Sequence, residues 1–106
     1  MSDNSRIQAF RKLVEKNPQD SRAYFGLAAE YEKLELWDAV VEELQQYLAI
    51  ADDEGNAWGR LGHAFFQSGR RDEARSAYTR GVAEARKHGH PSMAEEFEEI
   101  LAELTD

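Results

Sequence analysis

The chain repeats itself. Residues 21–54 laid over residues 55–88, an offset of 34, align without a gap. Tyr24 falls on Trp58, Leu27 on Leu61, Ala28 on Gly62 and Tyr31 on Phe65. Further along, Val40 meets Ala74, Leu44 meets Tyr78 and Tyr47 meets Gly81. A fixed period of this length narrows the choice of fold more than any composition does. Each copy is one supersecondary unit that buries its apolar face only by stacking on a neighbour.

Inside each copy the apolar spacing is helical, and it occurs twice. Tyr24, Leu27, Ala28 and Tyr31, like Trp58, Leu61, Gly62 and Phe65, sit at i, i+3, i+4 and i+7. In the second copy the pattern breaks at "QSGRRD", where Gly69 suits a left-handed helix terminus and Asp72 a first helical turn. It resumes with Ala74, Tyr78, Gly81 and Val82. The first copy resumes with Val40, Leu44, Tyr47 and Leu48 after "KLELWD", which has no glycine and is the weaker stop. Two flanking stretches are also amphipathic. Ile7, Phe10, Leu13 and Val14 share one face before Pro18, and Met93, Phe97, Ile100, Leu101 and Leu104 form a stripe opposed by glutamates. The spacing predicts six helices, at 3–17, 21–34, 37–51, 55–68, 71–88 and 91–104.

Trp58-x2-Leu61-Gly62-x2-Phe65 followed by Ala74-x3-Tyr78 resembles the tetratricopeptide repeat. The first copy is looser, with Val40 where a small residue is usual and Asp52 where proline is common. The resemblance covers residues 21–88. It implies an all-α domain over 1–106, built of antiparallel helix hairpins stacked as a short right-handed α-solenoid. Residues 1–20 then form a half-repeat, 21–54 and 55–88 two full repeats, and 89–106 a capping helix. It also accounts for Gly62 and Gly81, which stand where the two helices of a repeat approach closely and a larger side chain would overpack. Gly59 is not required by the repeat pattern.

Charge and motif content exclude several function classes. The net charge is −8, which argues against nucleic acid as the main ligand. Residues 21–54 carry two basic and nine acidic side chains, residues 55–88 seven and three, and residues 89–106 none and six. The basic block therefore faces acidic neighbours and is expected to spend its charge within the molecule. There is no cysteine, which removes disulfides and thiolate chemistry and fits a cytoplasmic protein. No apolar run approaches the roughly 20 residues that span a bilayer. His88 and His90 flank Gly89, but two imidazoles make an incomplete metal site and read as a helix end. His63 has no serine or cysteine placed to be activated. "DDEGN" at 52–56 lacks the alternating ligands of a calcium loop. No phosphate loop, nucleophile elbow or zinc-protease signature occurs. The reading is a non-enzymatic chain with no cofactor, metal, membrane or nucleic-acid partner.

What the resemblance implies for function is a protein-interaction scaffold. It would hold a peptide or helix of another protein in a concave groove lined by the first helix of each repeat. The matching positions are Arg22, Phe25, Gly26, Ala29 and Lys33 in the first repeat, and Asn56, Gly59, Arg60, His63 and Phe66 in the second. Gly59, with Gly26 and Ala29, reads as a wall stripped of bulk, and Phe25 and Phe66 as its apolar lining. Some family members clamp the carboxylate tails of chaperones with lysine, asparagine and arginine. Here those places hold Phe25, Ala29, Arg60, His90 and Ala94, so the resemblance does not extend to that clamp. The alternative reading is homo-oligomerisation, as a weak dimer, through Met93, Phe97, Ile100 and Leu101.

Overall fold

The computed structural model describes residues 2–104, with side chains from residue 5 onward. Six α-helices follow one another: α1 (Ser2–Lys16), α2 (Ser21–Lys33), α3 (Trp37–Ile50), α4 (Asn56–Gln67), α5 (Arg71–Lys87) and α6 (Pro91–Leu104). All six lie within a residue of the expected spans. Local chemistry explains where α2 and α4 begin. Before α2, Asp20 accepts a hydrogen bond from the Arg22 backbone N–H at 3.1 Å. Before α4, Asp53 Oδ2 accepts from the backbone N–H groups of Gly55 and Ala57, both at 2.9 Å. These carboxylates satisfy N–H groups that a helix start leaves without partners.

The two hairpin turns reveal one backbone conformation achieved with different residues. Gly69 ends α4 with φ 79°, as its place in "QSGRRD" requires. Its counterpart 34 positions earlier is Glu35, which takes φ 57°. "KLELWD" therefore stops its helix by the same left-handed residue, without the glycine that normally supplies it.

The helices form two compact units, one ending at Ala51 and the other beginning at Asp52. In the first, α2 packs on α1 and α3. Its core contains Ile7, Tyr24, Leu27, Ala28, Tyr31, Val40, Val41 and Leu44, the last fully buried. In the second, α5 packs on α4 and α6. There the core contains Ala57, Leu61, Ala64, Phe65, Ala74, Ala77, Tyr78, Val82, Ala85, Ala94 and Phe97. A Cβ on Gly62 would lie 2.7 Å from the Tyr78 ring, so α4 and α5 approach through a position that admits no side chain. Among the described residues no helix is long and apolar enough to cross a membrane.

Candidate functional site

The predicted groove residues divide between α2 of the first unit and α4 of the second, and much of the α2 set is already engaged. Arg22 is exposed and paired with Asp20 at 3.1 Å. Lys33 is paired with the buried Glu30 at 3.2 Å. Phe25 is half-buried and packs on Tyr47 of α3, ring centroids 4.9 Å apart. Ala29 is half-buried.

On α4 the placement is uneven. Asn56 and His63 are exposed, Arg60 is half-buried, and Phe66 is 43% exposed. Gly59 is buried, and the expectation of an open wall at the glycines is corrected here. A Cβ on Gly59 would meet the Phe97 ring of α6 at 2.3 Å. A Cβ on Gly26 would meet the Phe10 ring of α1 at 2.4 Å. Both glycines are seats for an aromatic ring of a neighbouring helix, so the bulk missing from the glycine is supplied by its neighbour.

The same contacts bear on the stripe of α6. Phe97 is seated against Gly59 and Gly81 and lies 5.6 Å from the Tyr78 ring, while Met93 Sδ would stand 2.9 Å from a Cβ at Gly55. Phe97 is buried, and Met93, Ile100 and Leu101 are half-buried. Of the residues offered for self-association, Phe97 is thus engaged inside the second unit, while Met93, Ile100 and Leu101 keep part of their surface.

A cleft of about 370 Å³ lies open in that unit. His63, Phe66 and Gln67 line it from α4, Arg71 and Tyr78 from α5, and Ile100, Glu103 and Leu104 from α6. The Arg71 guanidinium lies 5.8 Å from the Phe66 ring, and its Nε donates to the Leu104 carbonyl at 3.3 Å. Arg75 donates to the same carbonyl at 3.4 Å. Two cations thus meet the C-terminal end of α6, where the helix dipole is negative. Of this lining only His63 and Phe66 are expected as groove residues; the repeat pattern gives Tyr78, and the α6 stripe Ile100 and Leu104, as packing positions. That the α5 and α6 members join this lining had no signal in sequence, because their convergence depends on how three helices pack.

The basic block is used within the unit. Arg70 pairs with Glu73 at 2.8 Å, Arg75 with Asp72 at 2.6 Å and Arg80 with Glu84 at 3.1 Å, and Arg86 pairs with Glu98. Arg70 and Arg80 also lie over the rings of Phe65 and Trp58, at 4.8 and 4.7 Å. The histidines of "HGH" part company. His88 ends α5 with Nδ1 2.9 Å from the Glu84 carbonyl, and His90 Nε2 lies 2.6 Å from Glu54 Oε1. That bond holds the exposed Glu54 carboxyl below the usual carboxylate range. Among the described residues no group of three His, Asp or Glu side chains is arranged to hold a metal ion.

Comparison with known proteins fits this geometry. No family model matches the chain. The small glutamine-rich tetratricopeptide repeat-containing protein 2 of Mycosarcoma maydis is 37% identical over 76 residues, which is 72% of this chain and 22% of that protein. PcrH, crystallised in complex with the chaperone binding region of PopD, superposes with a TM-score of 0.86 at 20% identity, covering 98% of this chain and 79% of its own. The chain belongs to the tetratricopeptide-repeat family. This tetratricopeptide-repeat fold also matches a Bordetella parapertussis protein solved in solution (TM-score 0.76, 24% identity, 92% of this chain and 85% of that one). MamA gives a TM-score of 0.72 at 22% identity, over 96% of this chain and 58% of that one. The tetratricopeptide-repeat segment described here spans about a fifth of the length of the Mycosarcoma maydis relative.

Proposed function

We propose that this tetratricopeptide-repeat chain is a protein-interaction module, and that the cleft of the second unit anchors a peptide or helix of another protein. The observation that carries this is Phe66, a large aromatic left 43% exposed at the mouth of a cleft that Ile100 and Leu104 also line. Covering the exposed part of such a ring returns about 1 kcal/mol, and anchors of this kind dominate interface energies. Gln67 and Glu103 at the margin offer hydrogen-bonding groups that fix an approaching backbone. The family supports the same reading, as does PcrH, which was crystallised with a segment of another protein.

The test is a photo-crosslinker, p-benzoylphenylalanine, placed at Gln67 and, as a control, at the exposed Gln45 of α3. The expected result is a covalent adduct to another protein from position 67 that disappears with Phe66→Glu and is not formed from position 45. Equal yields from both positions, or an adduct indifferent to Phe66→Glu, would overturn the assignment. Phe25→Glu is a poor probe, because Phe25 packs on Tyr47 and its loss would disturb the first unit itself.

A further inference from the structure

The first unit has a recess of its own, of different chemistry. Between α1 and α3, above α2, lies a cleft of about 420 Å³. Its floor is apolar, made by Val14, the Tyr24 ring and Leu27, with Tyr24 and Leu27 almost wholly buried. The Tyr24 hydroxyl donates to the Pro18 carbonyl at 2.9 Å, so the ring adds apolar surface without an unsatisfied polar end. Its rim is acidic, with Glu15 from α1 and Glu42 and Glu43 from α3. Arg11 and Gln46 also line it; the Tyr31 hydroxyl accepts from Arg11 Nη2 at 2.7 Å and from Nε at 3.2 Å, which fixes the guanidinium but leaves its charge, so one cation stands against three carboxylates.

We propose that this cleft receives an arginine or lysine side chain presented by another protein. The methylene stem lies on Val14, Tyr24 and Leu27, and the cationic head sits among Glu15, Glu42 and Glu43. The shape and charge select this occupant over the alternatives. An apolar side chain would cover three carboxylates and give nothing back for their lost hydration. An acidic one would add a like charge. A small inorganic cation would gain nothing from Val14 and the exposed edges of Tyr24 and Leu27. A long cationic side chain meets both demands, since its stem is apolar and its head charged. The planar guanidinium fork also favours arginine over lysine against paired carboxylates. Glu43 gives independent support: it is half-buried, and burial followed by repulsion from Glu42 pushes its carboxyl up, with Arg11 opposing both. A second cation relieves that repulsion.

The experiment is a titration of the ¹⁵N-labelled protein with acetyl-Leu-Arg-Leu-amide and with the same peptide carrying citrulline, which keeps the shape and removes the charge. The expected result is saturable shifts at the amides of Val14, Leu27, Glu42 and Glu43, with the citrulline peptide binding about tenfold more weakly, as loss of a charge-assisted hydrogen bond predicts. Glu42→Gln with Glu43→Gln should weaken the arginine peptide to the citrulline level. Glu15→Gln with Glu42→Gln alters only exposed positions and should move in the same direction, which keeps the test decisive if Glu43→Gln disturbs folding. Phe66→Glu should leave the titration unchanged, so failure here and failure of the second-unit cleft are read separately. Equal binding of the two peptides, non-saturating shifts, or equal shifts at the α6 glutamates Glu95 to Glu99 would overturn the proposal.

Discussion

At the scale of single residues, Glu35 carries the clearest mismatch between side chain and backbone. A left-handed conformation costs an L-residue about 1–2 kcal/mol. Glycine removes that strain but adds unfolded-state entropy of about 0.4–1 kcal/mol. The strain term is the larger, so Glu35→Gly should stabilise the protein by about 0.5–1 kcal/mol. The reverse change isolates the same term. At Gly69 a Cβ meets nothing within 4 Å, so Gly69→Ala should destabilise through backbone strain alone. Urea midpoints with unchanged slopes would measure both. A destabilised Glu35→Gly would mean that the glutamate side chain makes a compensating contact in the turn.

Among elements, the docking of α6 on α4 and α5 turns on one ring in one niche. Gly59→Ala improves helix propensity by about 1 kcal/mol but drives a methyl to 2.3 Å from Phe97, and overpacking costs about 1–3 kcal/mol. The substitution should therefore destabilise. Paired with Phe97→Leu, which shortens the ring's reach, it should cost less than the sum of the two single changes. Strict additivity in urea denaturation would show that the two side chains do not share the niche. This contact also marks the limit of what was legible in sequence. The helices were readable because their apolar spacing and stops are local. So was Gly62, because the repeat pattern places a small residue where its two helices approach closely; Gly81 reads the same way, but the ring that closes on it is Phe97 of α6. Gly59 was misread as open wall, since no local signal tells an empty position from one filled by a ring 38 residues away. The acidic recess between α1 and α3 was unreadable for a related reason. Glu15 is separated from Glu42 and Glu43 in sequence, and each alone looks like an ordinary solvated charge.

For the molecule as a whole, the uneven charge gives two surfaces whose affinities should respond differently to salt. In the second unit Arg70, Arg75, Arg80 and Arg86 pair with acids of the same unit, and the cleft presents Phe66 and Ile100 beside one cation, Arg71, and one carboxylate, Glu103. In the first unit the recess rim keeps three carboxylates against one arginine that Tyr31 already engages. Screening lengths fall from about 30 Å at 0.01 M salt to about 3 Å at 1 M. Across that range the arginine peptide should lose most of its advantage over its citrulline counterpart. Apolar burial is not screened, so affinity for the partner crosslinked at position 67 should change far less. Dissociation constants for both at three salt concentrations decide the matter. If both weaken in parallel, Phe66 is not the anchor and charge carries that contact too. If the arginine peptide holds its advantage at high salt, the guanidinium is held by desolvated, charge-assisted hydrogen bonds that salt does not screen, and the recess is not an open, solvated rim.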